Sequence, residues 1–173
     1  SFVGVNAGAV PITGTITVTP TSNGCVGLTE TYDITINPLP TAIIAGDAVV
    51  CEGDASPVIT FTGANGVAPY TFTYNINGAG ATTITSVGNT ATINAPTTPT
   101  GTFNYNLVSV QDASGTACSQ VQAGTATIVV NPNPVPVING AVEYCAGTTS
   151  TLSTSVPFTT YLWSTGDATS TTA

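Results

Sequence analysis

The chain has 173 residues, 42% of them hydrophobic, enough to bury one medium core or two small ones. It carries 8 Asp and Glu, no Lys, Arg or His and a net charge of -8, so its side chains form neither a salt bridge nor a His-based acid/base pair. That excludes a Ser-His-Asp triad, a Cys-His dyad, a catalytic Lys and a phosphate-cradling P-loop. It also argues against nucleic acid, acidic lipid and phosphorylated ligands, each of which needs Lys or Arg to neutralise its charge.

Thr makes up about a fifth of the residues, strong helix formers are scarce, and 18 Gly and 12 Pro interrupt the chain. The expectation is an all-β chain. Alternating apolar and polar residues predict strands at 12–19 and 32–36, then at 58–62. At 70–77, Tyr70, Phe72, Tyr74 and Ile76 alternate with Thr71, Thr73, Asn75 and Asn77, which puts the aromatics on one face before Gly78 turns the chain. Further strands are expected at 90–93, 103–110 and 125–130. Short strands at this spacing fit antiparallel sandwiches of the immunoglobulin type. No apolar run approaches the roughly 20 residues needed to span a membrane, and no basic stretch precedes a signal-like segment, so an export signal is expected outside these residues.

An internal repeat sets the expected boundaries. Asn37-Pro38-Leu39-Pro40 and Asn131-Pro132-Asn133-Pro134 each follow a β-branched run, and each is followed at the same distance by a Cys, Cys51 and Cys145. Ile43-Ile44-Ala45-Gly46 matches Val137-Ile138-Asn139-Gly140, and Cys51-Glu52-Gly53 matches Cys145-Ala146-Gly147. Upstream, Cys25 and Cys118 precede their Asn-Pro at nearly equal distances. The chain is therefore expected to hold tandem sandwiches, one complete and two partial: residues 1–38 the C-terminal part of one module, 39–132 a complete module, and 133–173 the N-terminal part of a further one. Proline at each junction restricts φ and removes a backbone donor, so the linkers are expected to be semi-rigid. The partial modules are expected to present sheet edges that adjoining chain or a neighbouring molecule completes.

Several segments carry a family resemblance. Val18-Thr19-Pro20-Thr21, Asn23-Gly24-Cys25-Val26-Gly27 and Thr35-Ile36-Asn37-Pro38 are similar to the PKD-like, immunoglobulin-type repeats of giant surface proteins from gliding and related bacteria. Gly66-Val67-Ala68-Pro69-Tyr70-Thr71-Phe72 resembles the entry to that family's central strand, and Tyr161-Leu162-Trp163-Ser164-Thr165-Gly166-Asp167 resembles its Tyr-x-Trp-x-x-Gly-Asp signature. The resemblance implies PKD-like sandwiches in an extracellular, cell-surface adhesin, commonly exported by the type IX route, with a buried Trp163. Isopeptide cross-links, which need Lys, are excluded.

The four cysteines are single and widely spaced, without CxxC or His, which disfavours a metal site. In an exported chain a disulfide is expected instead. The repeat suggests Cys51 with Cys118 inside the complete module, and Cys25 and Cys145 with partners beyond these residues; four buried thiols are the alternative. Asp47, Glu52 and Asp54 lie near one expected junction and Asp112 in a loop, making them weak Ca²⁺ candidates, but no EF-hand-type loop is present. No cofactor is expected. Tyr70, Phe72, Tyr74, Phe103, Tyr105 and Trp163 would stack on sugars if exposed, while their alternation with Thr favours a core face. The expected function is a non-catalytic structural repeat, a stiff stalk of a secreted adhesin or filament. Its expected partners are adjacent repeats of the same chain, surface polysaccharide or neighbouring filament subunits. The alternative is a carbohydrate-binding or accessory module of a secreted multidomain hydrolase.

Overall fold

The structure, a computed structural model, describes residues 3–172, and the chain divides into two compact units, Ser1–Pro132 and Asn133–Ala173. The described residues contain strands and turns but no helix. The expected boundary at residue 38 falls inside the first unit, which opens with a hairpin of β1 (Ile12–Val18) and β4 (Glu30–Ile36), antiparallel from Ile12 opposite Ile36 to Val18 opposite Glu30. Its tip is a smaller ladder of β2 (Thr21–Ser22) and β3 (Cys25–Val26), turned by Asn23 and Gly24, both at positive φ.

The sandwich follows. β5 (Thr41–Ala45), β7 (Val58–Ala64) and β10 (Thr90–Asn94) form a three-stranded sheet in the order β10-β7-β5. Facing it are β6 (Ala48–Cys51), β13 (Thr125–Asn131), β11 (Gly101–Gln111), β8 (Thr71–Ile76) and β9 (Thr82–Thr85), in that spatial order, with β12 (Ser119–Val121) on the end of β11. β5, β7 and β10 occupy the places of strands A, B and E, and β8, β9, β11 and β13 those of C, C′, F and G, which makes this an immunoglobulin-like sandwich. The first strand is split between the sheets, and its second half, β6, lies parallel to β13.

Period-2 alternation places the core. Ile59 and Phe61 of β7, Phe72 and Tyr74 of β8, and Ala126, Ile128 and Val130 of β13 point inward and are buried. Phe61 bridges the sheets, its ring 5.6 Å from Phe72 and 5.1 Å from Tyr74. In β11 the inward residues are Tyr105 and Leu107, then Val110; a register shift between Leu107 and Ser109 resets the phase and keeps Ser109 from pointing into the core. Tyr70 lies against Gly63, where a Cβ would come 2.5 Å from the ring, so only glycine leaves room. Ser86 is buried but satisfied: its hydroxyl accepts from Tyr70 N at 2.6 Å and donates to Gly88 O at 2.7 Å.

The second unit holds β14 (Ile138–Asn139), β15 (Leu152–Thr154) and β16 (Thr171–Thr172), antiparallel in the order β14-β15-β16. It reproduces the start of the sandwich. β14 carries the residues that match part of β5, and the two three-stranded sheets share an order, β5-β7-β10 and β14-β15-β16. Gly53 and Gly147 both have left-handed φ, +86° and +85°. In each of these turns the next amide, Asp54 N or Thr148 N, donates back to the carbonyl of Cys51 or Cys145 at 3.1 Å.

Candidate functional site

Two features stand out on this scaffold: a pinned pole of the sandwich where the chain enters it, and two apolar faces that no second sheet covers. At the entry pole, Pro38 and Pro40 are buried, and Asn37 Nδ2 donates to Thr116 Oγ1 at 2.9 Å. Asn65 Nδ2 reaches Thr41 Oγ1 at 3.1 Å. Asp112 is 5% exposed; one carboxylate oxygen accepts from Val67 N at 3.1 Å, the other from Ser114 N and Ser114 Oγ. It thereby ties the β7–β8 loop to the β11–β12 loop. Ala9 and Pro11 share a small cleft with Asn37, Pro38, Val67 and Asp112, so the segment before β1 also meets this pole.

The expected Cys51–Cys118 bridge is not formed; both are free thiols, as are Cys25 and Cys145. Cys51 ends β6 opposite Asn131, next to Val130, which pairs with Gly101 at the start of β11. Cys118 directly precedes Ser119, which pairs with Gln111 at the other end of β11. At 3.3 Å per residue the length of β11 sets them about 30 Å apart, beyond the roughly 7 Å that a disulfide tolerates. Spacing along the chain matches an immunoglobulin-type bridge, but the topology puts the two cysteines at opposite poles. Cys25 and Cys145 are exposed.

The carboxylates are likewise dispersed. Asp47 Oδ1 accepts from Thr127 N at 2.6 Å between β5 and β6, Asp54 caps the Cys51 amide at 2.8 Å, and Glu52 adjoins that turn at the far pole, where its own N–H donates to Asn131 O. Asp112 is at the entry pole. Among the described residues no three Asp, Glu, Cys or His side chains gather as metal ligands.

Phe72, Tyr74 and Tyr105 are in the core, as expected, with Tyr70; burial holds the Tyr105 phenol above its usual range, and neighbouring Tyr74 adds to this. Trp163 departs from expectation. It is half-buried, lies outside any strand, and donates from Nε1 to Thr169 O at 2.9 Å. In the sandwich, the equivalent strand β8 pairs with β11; segment 161–163 has no such neighbour and stays irregular. Beside it, Thr172 and Thr165 hydroxyls hydrogen-bond Asp167 and lower its carboxyl pKa.

The first uncovered face is on the β1–β4 hairpin. Directly opposed residues share a face, so Ile12 with Ile36, Gly14 with Ile34, Ile16 with Tyr32 and Val18 with Glu30 lie on one side, while Thr13, Thr15, Thr17, Thr31, Asp33 and Thr35 occupy the other. The polar side is knitted by Thr15 Oγ1 to Asp33 Oδ1 at 2.6 Å and Thr13 to Thr35 at 3.1 Å. The apolar side is partly open: Tyr32 is 70% exposed, whereas Ile34 and Ile36 are half-buried and Gly4 lies against Ile36. The second face is a groove of about 560 Å³ within the second unit, lined by Pro134, Pro136, Ile138, Phe158, Tyr161 and Trp163. The alternation at 12–19 and 32–36 makes the hairpin's two sides legible in the sequence, whereas the groove of the second unit is not.

Comparison with known proteins adds little. No protein-family model matches the chain. No curated protein matches it either. Among solved structures, the chain is similar to a CARDB domain of a Pyrococcus furiosus protein, determined in complex with di-metal ions, at 21% identity and a TM-score of 0.39, over 56% of this chain and 96% of that one. The immunoglobulin-like assignment rests on the strand order of the chain itself.

Proposed function

We propose that this chain is a non-catalytic structural repeat of a long secreted cell-surface adhesin or filament, in which immunoglobulin-like modules divided near residues 38 and 132 are joined end to end as a stiff stalk. The observation that carries this reading is the entry pole: buried Pro38 and Pro40, the Asn37–Thr116 hydrogen bond and the Asp112 latch restrict how the hairpin swings on the sandwich. Two further features support it. A chain without Lys or Arg offers no trypsin-type cleavage site, which suits an exposed extracellular filament. The PKD-like segments are of the kind found in surface proteins of gliding bacteria, whose type IX export would place the stalk outside the cell. Adjacent repeats are then the principal partners, and the loops and poles do no chemistry.

The sugar-binding alternative loses its best residues, because Tyr70, Phe72, Tyr74 and Tyr105 lie in the core. The test of stiffness uses native thiols. With Cys118→Ser and Cys145→Ser, spin labels on exposed Cys25 and Cys51 report the distance between hairpin tip and far pole. A narrow distribution that broadens with Asn37→Ala and Pro38→Gly is expected; a broad distribution without those two changes overturns the stalk reading.

A further inference from the structure

We infer that Asn23-Gly24, in the turn at the tip of the first hairpin, is a site of spontaneous modification at which the asparagine converts to aspartate and isoaspartate. The fold guards the two Asn-Gly pairs of the sandwich, Asn65-Gly66 and Asn77-Gly78, against the same reaction. This does not rest on the stalk reading, because it concerns the chain's own atoms and water.

The chemistry needs only neighbours along the chain. The backbone nitrogen of the glycine loses its proton and attacks Cγ of the preceding asparagine; the new C–N bond closes a succinimide ring, and the side-chain nitrogen leaves as ammonia. Water then adds across one of the two C–N bonds of the ring, giving Asp or isoAsp. Glycine favours the attack because it has no Cβ to obstruct it. Ring closure needs the carboxamide to turn and the peptide after it to rotate, so a hydrogen bond that holds either group must open first.

Three of the four Asn-Gly pairs form a matched set. Asn23, Asn65 and Asn77 all stand at left-handed φ, +50°, +61° and +52°, whereas the Asn of the fourth pair, Asn139, lies in β14. The backbone is shared and the hydrogen bonding is not. Asn77 Nδ2 donates to Thr102 O at 3.2 Å, its Oδ1 accepts from Asn104 N at 2.8 Å, and the attacking atom, Gly78 N, donates to Asn75 Oδ1 at 2.9 Å. Asn65 Nδ2 donates to Thr41 Oγ1 at 3.1 Å. Gly66 N donates to the Tyr70 hydroxyl at 3.1 Å, and that hydroxyl donates to Gly66 O at 2.8 Å, so a buried side chain holds both backbone groups of the glycine. Among the described residues nothing hydrogen-bonds the Asn23 side chain or Gly24 N, and both residues are exposed.

The repeat gives this turn a counterpart in the sandwich, ahead of Cys118 as it is ahead of Cys25. There Ala113, Gly115, Thr116 and Ala117 are exposed with every strand in place, so strands paired beside β1 or β4 would leave such a turn open to water. The turn itself has no slack. Ser22 pairs with Cys25 across two residues, and the extra main-chain carbon of isoAsp shifts that register. Each conversion also adds a carboxylate to a chain already at -8.

The experiment incubates the 173-residue chain at mildly alkaline pH, folded and in guanidinium chloride, and follows each asparagine by peptic peptide mapping, since trypsin has no Lys or Arg to cut. The mass gain marks deamidation, and methylation by an isoaspartate methyltransferase marks isoAsp. In denaturant the three sites should react at similar rates. In the folded chain Asn23 should lead Asn65 and Asn77 by roughly tenfold or more, because at least two hydrogen bonds must open at each of those sites. Asn75→Ala, at a part-exposed position, removes the acceptor of Gly78 N and should speed Asn77 severalfold without changing Asn23; Asn75→Asp keeps an oxygen there and should not. Tyr70→Phe should release Asn65 in the same way, with a slow Asn77 in that variant showing that the sandwich is still folded. Equal rates at the three sites of the folded chain, a lead for Asn65 or Asn77, or an ordering that persists in denaturant overturns the proposal. An Asn77 rate indifferent to Asn75→Ala overturns the guard assigned to that hydrogen bond.

Discussion

The β1–β4 and β11–β13 hairpins are built from similar sequences and have different fates. In both, apolar residues alternate with Thr or Asn, both ladders are antiparallel, and both run into Asn-Pro. Yet Ile128 and Tyr105 are sealed beneath the β10-β7-β5 sheet, while Ile16 and Tyr32 face solvent. Alternation creates an amphipathic sheet, and burial depends on a second sheet that the hairpin does not encode. The same side chains therefore stabilise one region by roughly 1.5–3 kcal/mol each and contribute little in the other.

The strongest way to break that comparison is truncation at matched positions. Phe61→Ala should destabilise the sandwich by about 3–5 kcal/mol, read as a lower denaturant midpoint of the first unit. Ile16→Ala should change it by no more than about 0.5 kcal/mol at concentrations where the chain is monomeric; an equal loss from both would show that the hairpin face is covered. Next comes the latch. Asp112→Ala leaves Val67 N without its acceptor and should cost about 1–3 kcal/mol, with faster hydrogen exchange at Val67 and Ser114. A change confined to global stability, with those amides still protected, would mean that the loops are held by something else.

pH separates the two units. Tyr105 has a raised folded-state pKa, so its stabilising burial is complete below the unfolded value of about 10 and is lost as pH rises through the folded value. Alkaline unfolding of the sandwich is expected to begin above about pH 10 and to be blunted by Tyr105→Phe. Asp167 behaves in the opposite sense. Its pKa is depressed, so what it contributes is present above the ordinary carboxylate value and fades as pH falls through the folded one. Acid should therefore act on the turn beside Trp163 first, visible in Trp emission and absent in Asp167→Asn. The smallest effect is expected from Tyr32→Ser, within about 0.5 kcal/mol of neutral for folding.

Strands with clear alternation are legible in the amino-acid sequence. The period-2 runs at 58–62, 90–93, 103–110 and 125–130 fall on β7, β10, β11 and β13, and the aromatic run beginning at Tyr70 falls on β8. β6 and β9 are not legible in this way. Ala48-Val49-Val50-Cys51 has no alternation and is held by parallel pairing with β13, a contact made across most of the module. Thr82–Thr85 is an edge strand with little but Thr and one Ile to mark it. The cysteine pairing fails because chain separation says nothing about poles, and Trp163 is only half-buried because no strand among the described residues pairs with segment 161–163. Asp112 is visible in the sequence only as a loop acid; Ser114 two residues on is the available sign that its carboxylate turns back on the backbone.

The parallel pairing of β6 with β13 has a mechanical consequence. In the proposed stalk, a load would enter the sandwich through the segment before β5 and leave after β13. It pulls β6 and β13 along their own axes in opposite directions, because the two strands run the same way. The ladder from Ala48 beside Ile128 to Cys51 beside Asn131 is then loaded in shear, with its hydrogen bonds strained together. The β1–β4 hairpin, pulled at its open end, would peel one bond at a time. Under tension the sandwich should thus hold to a much higher force than the hairpin.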